Sequence, residues 1–300
     1  MKVLIIGYGS IGRRHDEVLS SLNYRVDIVS SQIILDRIVY KKLEEIKNLN
    51  EYNYFIIASP TNQHYQALKY LESQVVNKII FCEKPLFETY KHLERGSNKV
   101  YIGYVLRFHP LLKKVKQFLE EDKPISINVN CGQYLPTWRE GREYQDSYSA
   151  KKDEGGGVLL DLSHEIDYTQ WLCGLMVDIK SYQIKISDLD IDSDDLTTFI
   201  GRSDAGVIVN MSIDYISKVT HRQMIIHTLN YTYSVDLINN KLFIKNKKGV
   251  EQLFTCEMLE RNSMFKEMHT SILDNYTTAC TYAEAVEVMK TITTIQEQNR

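Results

Sequence analysis

The chain opens on MKVLIIGYGSIGRRH, in which Gly7, Gly9 and Gly12 follow a G-x-G-x-x-G spacing directly behind the apolar run 2–6. Glycines so spaced suit a dinucleotide phosphate. The first allows a tight turn, the second lets the backbone approach a pyrophosphate, and the third lets a helix pack on its strand. Ser10, Ile11 and Gly12 fall at the start of that helix, whose unpaired N–H groups and partial positive charge favour phosphate, and Arg13 follows at once. Downstream stand Lys84, in CEKPL, and the pair Asp161 and His164, in DLSH. Hydride transfer from an alcohol needs a nicotinamide against the C–H, a base for the O–H proton, and a donor or cation for developing oxyanion character. An imidazole titrates near neutrality as a type, so His164 suits the base. Asp161 would fix its tautomer, and Lys84 would bond the substrate oxygen.

An acidic residue closing the second strand would bind the adenosine ribose and select NAD. Ser30 and Ser31 stand there instead, and Asp27 comes too early, mid-strand. Serines leave room for a 2′-phosphate, which Arg13 or Arg14 could neutralise. The sequence leans to NADP and leaves NAD open.

These residues need elements to hold them. Residues 2–6, 25–29, 54–58, 78–82 and 100–104 are nearly continuous apolar runs, the pattern of strands buried on both faces. Residues 10–22, 41–49 and 61–73 between them carry apolar residues at helical spacing. The alternation predicts an α/β fold, with a Rossmann-type doubly wound parallel sheet forming an NAD(P)-binding domain over 1–104. Beyond it the texture changes. A helix at about 108–121, a strand at 125–135, a polar loop at 136–157 and a helix over 158–173 come first. Alternating strands follow at 196–201, 206–215, 222–229, 231–238 and 241–246, with a hairpin turn within 238–243. Helices at about 258–275 and 281–297 close the chain. Residues 105–300 thus read as an α+β substrate-binding domain with a large, mostly antiparallel open sheet, its terminal helix free to return to the first domain.

Composition narrows the class. A net charge of −3 makes no electrostatic case for nucleic acid or an anionic membrane, and no apolar run is long enough to cross a bilayer. The first residues read as a buried strand rather than a signal peptide. The 5 cysteines match no metal spacing and no disulfide framework. A reducing cytoplasm and a metal-free site are the expectation.

Taken in order, GYGSIG, ASPTNQH (58–64), CEKPL (82–86) and GGGVLLDLSHEID (155–167) resemble the glucose-fructose oxidoreductase / inositol dehydrogenase / MocA family over residues 1 to about 175. The resemblance implies a Rossmann domain followed by an open-faced substrate domain, a nicotinamide in the cleft between them, and oxidation or reduction of a sugar or polyol carbon. It implies that Lys84 contacts the reacting hydroxyl beside a cofactor-binding Glu83. It also implies that Ser59, Pro60 and Thr61, with His64, lie along the nicotinamide ribose, and that His164 is an acid/base partnered by Asp161. One departure stands out. Family members place the histidine four residues after the aspartate, and here it comes three after, a register that could also set Glu165 in the base position. The stretch after CEKPL is short for the family, which implies a trimmed helix at 87–95.

The substrate is expected to be polar. Arg107 and His109 lie just past the last Rossmann strand, and the loop near 134–152 combines Tyr134 and Trp138 with Arg139 and Arg142. Aromatic faces suit the C–H side of a sugar, and arginines grip carboxylate or phosphate. An acidic or nucleotide-linked sugar fits this set. The sequence also leaves open a glycosidase that uses NAD transiently and a non-catalytic dinucleotide-binding regulator. A homodimer or homotetramer is the family expectation.

Overall fold

The apolar runs become strands because hydrophobic side chains on both faces leave no face for water. In the computed structural model, which describes residues 1–138, 141, 143–256, 260–275 and 278–299, the chain forms two compact units. The first begins with β1 (Lys2–Ile6), α1 (Ser10–Ser21), β2 (Arg25–Val29), β3 (Val39–Tyr40), β4 (Tyr54–Ile57), α2 (Thr61–Gln74), β5 (Ile79–Cys82) and β6 (Lys99–Ile102). These strands are parallel in the order β6-β5-β4-β1-β2-β3. The order reverses at β1, between β4 and β2, and ligands of such sheets bind outside the strand ends at that reversal.

The expected helix at 41–49 is absent. Leu43, Ile46 and Leu49 are the buried residues there, spaced by three, and the chain forms two short 3-10 turns, Leu43–Glu45 and Leu49–Glu51. A period of three matches that tighter winding. Residues 87–95 form no helix either.

The second unit holds α3 (Pro110–Glu121), β7 (Pro124–Gly132), α4 (Val158–Asp161), α5 (His164–Cys173), β8 (Met176–Ile184), β9 (Leu196–Ser203), β10 (Ile208–Asp214), β11 (His221–Thr228), β12 (Tyr231–Asp236), β13 (Lys241–Asn246) and β14 (Glu251–Thr255). Its sheet runs β14-β13-β12-β11-β7-β10-β9-β8, antiparallel except where β7 meets β10. The two faces differ sharply. Ile127, Val129, Val209, Met211 and Ile226 are buried on one, which α4 and α5 cover, whereas Ile200, Ile208, Ile225 and Phe243 are exposed on the other. The hairpin expected at 238–243 joins β12 to β13, with Asn240 at φ +53°.

The helix expected over 158–173 is broken in two. Ser163 N donates to Leu160 O and Glu165 N to Leu162 O, three residues back, so the winding tightens between α4 and α5. Asp161 and His164 therefore sit on separate helices.

The chain then returns. α6 (Ser263–Leu273) lies against α1 and the Val105–Phe108 turn, and β15 (Cys280–Thr281) pairs antiparallel with β6. Phe265, Met268 and Ile272 join the first unit's core. α7 (Tyr282–Gln298) closes the fold. The units are consequently Met1–Phe108 with Glu260–Val286, and His109–Leu259 with Glu287–Arg300, a division that differs from a simple cut between 104 and 105.

Candidate functional site

At the β1–α1 turn, glycine is needed for two distinct reasons. Gly7 has φ +95°, and a Cβ there would lie 2.6 Å from Ser59 N; at Gly12 it would lie 2.2 Å from Gly7 O. Those two are required by the protein's own packing. A Cβ at Gly9 would meet nothing within 4 Å. Gly9 caps α1 without a side-chain bond, leaving the N–H groups of Ser10, Ile11 and Gly12 at a helix start with open space before them. The Ser59 hydroxyl, across the turn, is buried with no hydrogen-bond partner. This donor set fits a dinucleotide pyrophosphate.

Beyond β2, Ser30 Oγ accepts from Gln32 N at 3.1 Å, and the Gln32 side chain accepts from Arg13 Nη2 at 2.9 Å. Arg13 thus stays at the end of β2, exposed. Arg14 does not. It lies over the Phe265 ring at 5.2 Å, and burial, reinforced by Arg261, lowers its pKa. Asp27 points away, bonded to Tyr52 Oη at 2.7 Å and Lys2 Nζ at 3.1 Å.

β5 delivers Glu83, Lys84 and Pro85. Lys84 is half-buried, and its peptide bond to Pro85 is cis. Two neighbours expected to face the cofactor turn inward. Glu83 is 8% exposed; its carboxylate takes up His15 Nε2 at 3.0 Å and Lys84 N at 3.1 Å. His64 is buried with its ring nitrogens 3.0 Å from Pro85 O and 2.9 Å from Ser59 O, and burial lowers its pKa against the pull of those carbonyls. Its ring ties the 59–61 loop to the Lys84–Pro85 segment. Pro60 is the N-cap of α2.

In the second unit, Gly156 admits close backbone and Gly157 a close carboxylate. A Cβ would lie 2.1 Å from Tyr148 O at Gly156 and 2.1 Å from Asp194 Oδ1 at Gly157. Asp194 bonds Leu159 N at 3.0 Å and so satisfies the start of α4, while burial raises its pKa. Asp161, at the end of that helix, is buried and accepts from Tyr215 Oη at 2.6 Å. The Tyr215 ring meets Trp138 edge-on at 5.1 Å. Trp138, Tyr144, Tyr148, Glu143, Asp146 and Ser149 line a cavity of about 600 Å³. The Ser149 hydroxyl there is buried with no hydrogen-bond partner. His164 begins α5 and is half-buried. Glu165, its rival for the base, is 0% exposed and bound by Arg222 Nε at 2.7 Å. Burial alone would lower the Arg222 pKa, and Glu165 reverses that and raises it. Glu165 is thereby committed to a buried ion pair.

Three expected substrate contacts have other work. Arg107 is 2% exposed and donates to Glu284 at 2.6 Å. His109 caps α3 by accepting from Leu111 N at 3.2 Å, reaches Asn240 Oδ1 at 3.1 Å, and has its pKa lowered by burial. Tyr134 carries Lys218 over its ring at 4.2 Å. Arg139 and Arg142 lie outside the described residues. Among the described residues no cluster of three or more His, Cys, Asp or Glu could hold a metal, and no helix is long and apolar enough to cross a membrane. Sequence reasoning missed Tyr215, which carries no local motif. It also missed His15, whose spacing of three from Gly12 on the packed face of α1 is a readable signal.

Residues 1–99 match the family described as "Oxidoreductase family, NAD-binding Rossmann fold", and residues 113–231 match the "GFO/IDH/MocA C-terminal domain". The chain is 25% identical to inositol 2-dehydrogenase of Salmonella typhimurium over 193 residues, 57% of this chain and 54% of that protein. It thus spans about half the length of the curated relatives it matches. Among solved structures it resembles UDP-N-acetylglucosamine 3-dehydrogenase from Acidithiobacillus ferrooxidans (TM-score 0.78, 17% identity, 100% of this chain and 97% of that one). It also resembles levoglucosan dehydrogenase in complex with NADH (TM-score 0.84, 15% identity, 99% and 96%).

Proposed function

The chain belongs to the GFO/IDH/MocA oxidoreductase family, and we propose that it transfers a hydride between a nicotinamide dinucleotide and a hydroxyl or keto carbon of a sugar derivative. The observation that carries this reading is the open cradle at Gly9, faced by the free helix start of α1 and the orphaned Ser59 hydroxyl. The nicotinamide, when bound, supplies the hydride chemistry. This chain's own residues do the rest. Lys84 bonds the reacting oxygen and steadies its developing charge. His164 takes the hydroxyl proton, since Glu165 is held by Arg222. Asp161, shared with the Tyr215 hydroxyl, orients and balances that imidazole.

Ser30, Ser31 and Arg13 favour NADP, the serines leaving space and the guanidinium supplying charge for a 2′-phosphate. The Trp138 cavity suits a hydroxyl-rich sugar. Its tyrosines and tryptophan cover the C–H faces, and Glu143 and Asp146 accept from hydroxyls. Arg139 and Arg142 are the groups that would serve an acidic or nucleotide-linked sugar. Free thiols at all 5 cysteines suit a reducing cytoplasm. We place a homo-oligomer contact on the open face of the second sheet.

The test is a fluorescence titration with NADH and NADPH, followed by a panel of sugars, sugar acids and nucleotide sugars read by reduced-nicotinamide absorbance. The proposal expects binding, tighter for NADPH, and an absorbance change with at least one sugar. Sugar release with no net absorbance change would replace it with the NAD-dependent glycosidase. Binding without any turnover would leave a dinucleotide-binding regulator.

A further inference from the structure

The interior of the first unit holds four polar side chains in line that the reaction above does not use. Tyr54 Oη lies 2.9 Å from His269 Nδ1, His269 Nε2 lies 2.9 Å from His15 Nδ1, and His15 Nε2 lies 3.0 Å from Glu83 Oε1. Tyr54, His269 and His15 are each 0% exposed. Donor–acceptor matching orders the line. Lys84 N already donates to Glu83 Oε2, and the Arg14 charge lies near, so Glu83 acts as the acceptor carboxylate. His15 then donates from Nε2 and accepts at Nδ1. His269 donates from its own Nε2 and accepts at Nδ1, and the Tyr54 hydroxyl closes the line as donor. The reverse order needs a protonated Glu83 and leaves the Tyr54 proton without an acceptor in the line. The rings are held in place, His15 edge-on to Phe81 at 5.1 Å and to Phe265 at 5.6 Å, and His269 against Phe81 at 5.5 Å. The line ends at Tyr54 in mid-sheet, away from solvent, so it fixes geometry rather than conducting protons.

We propose that Tyr54, His269 and His15 form a one-way hydrogen-bond relay that holds the Glu83 carboxylate and so positions Lys84 and Pro85 at the nicotinamide end of the dinucleotide site, an inference that rests on the cofactor reading above. The restraint extends further, because the buried His64 ring lies between Pro85 O at 3.0 Å and Ser59 O at 2.9 Å and donates to one of these carbonyls. These four residues are positioning residues. The relay joins α1, β4, the end of β5 and α6, so a helix from late in the chain helps to set the cofactor motif at its start.

The test uses the full chain with ¹⁵N-labelled histidine, and the variants His269→Leu and His269→Gln. In the wild type, His15 should be neutral with its proton on Nε2 and an acceptor signal at Nδ1. In His269→Leu that signal should shift, and the NADH Kd should rise about fivefold or more, while the Kd of ADP-ribose, which lacks the nicotinamide, stays within about twofold. His269→Gln, whose amide both donates and accepts, should restore NADH affinity to within about twofold. NADH and ADP-ribose weakening together, a folded His269→Gln that fails to rescue, or a wild-type His15 protonated on Nδ1 would each overturn the relay. Should His269→Leu not fold, Tyr54→Phe removes a single oxygen and must still move the His269 Nδ1 and His15 signals; an unmoved His15 overturns the proposal. Wild-type protein that binds neither nucleotide sinks the cofactor reading instead, and the His15 tautomer then decides the relay by itself.

Discussion

Gly9 separates ligand space from protein packing at the scale of one methyl group. Gly9→Ala adds a Cβ that meets no protein atom, so it should melt within about 2 °C of wild type, yet weaken NADH at least about tenfold by filling the phosphate space. Calorimetry and nucleotide titration on one sample check both halves; equal NADH affinity would remove the cradle from the site. Lys84→Ala should cut turnover by about 10² to 10⁴ with NADH binding largely kept, read as kcat against nucleotide Kd. The turn glycines Gly7 and Gly12 were legible because their local spacing encodes the backbone path. Glu83, His64, Arg107 and His109 were not, because residue type does not say which way a side chain turns. Each is a polar group folded inward onto a carbonyl, a carboxylate, an amide or another ring.

Elements are set by their ends. α7 starts with TYAE, where Thr281 Oγ1 accepts from Glu284 N at 3.3 Å and Glu284 Oε2 accepts from Thr281 N at 2.9 Å, a reciprocal cap readable from sequence. Glu284 also carries the charge opposite buried Arg107. Burial alone would raise its pKa, but Arg107 and the Thr281 bonds outweigh that and hold it below the ordinary 4.5. A depressed folded value means the stabilisation is present above 4.5 and lost as pH falls through the folded pKa. Glu284→Gln keeps the cap and removes the charge. It should cost about 2 kcal/mol near neutrality, and the gap to wild type should close in melts run progressively below pH 4.5. Arg222→Leu leaves Glu165 buried and unpaired, and denaturant unfolding should register a loss of about 3–5 kcal/mol. The sequence carried the strands and most helices, since their periods are plain. It hid the break at Leu162–Ser163, where Ser163 N and Glu165 N reach back three residues to Leu160 O and Leu162 O with no Gly or Pro to mark the place.

At the scale of the molecule, the exposed face of the second sheet carries Ile200, Ile208, Ile225 and Phe243 among asparagines and threonines. If copies of the chain meet there, Phe243→Lys should shift sedimentation toward monomer without lowering the melting temperature, since the side chain is 36% exposed in the single chain. Unaltered sedimentation would move the contact elsewhere. The parallel and antiparallel halves were legible from strand texture. A return to the first domain was expected of the terminal helix; that 260–286 makes it was not legible, because a helix that closes a distant core has the same period as one that closes its own.

That return sets an order of events during synthesis. The nucleotide-binding sheet lacks Phe265, Met268, His269 and the edge strand Cys280–Thr281 until those residues leave the ribosome. Sequential folding from the amino end is common for chains of several domains. Here the first domain to be made is among the last to be finished, and a nascent chain halted before residue 260 would present its hydrophobic flank to chaperones.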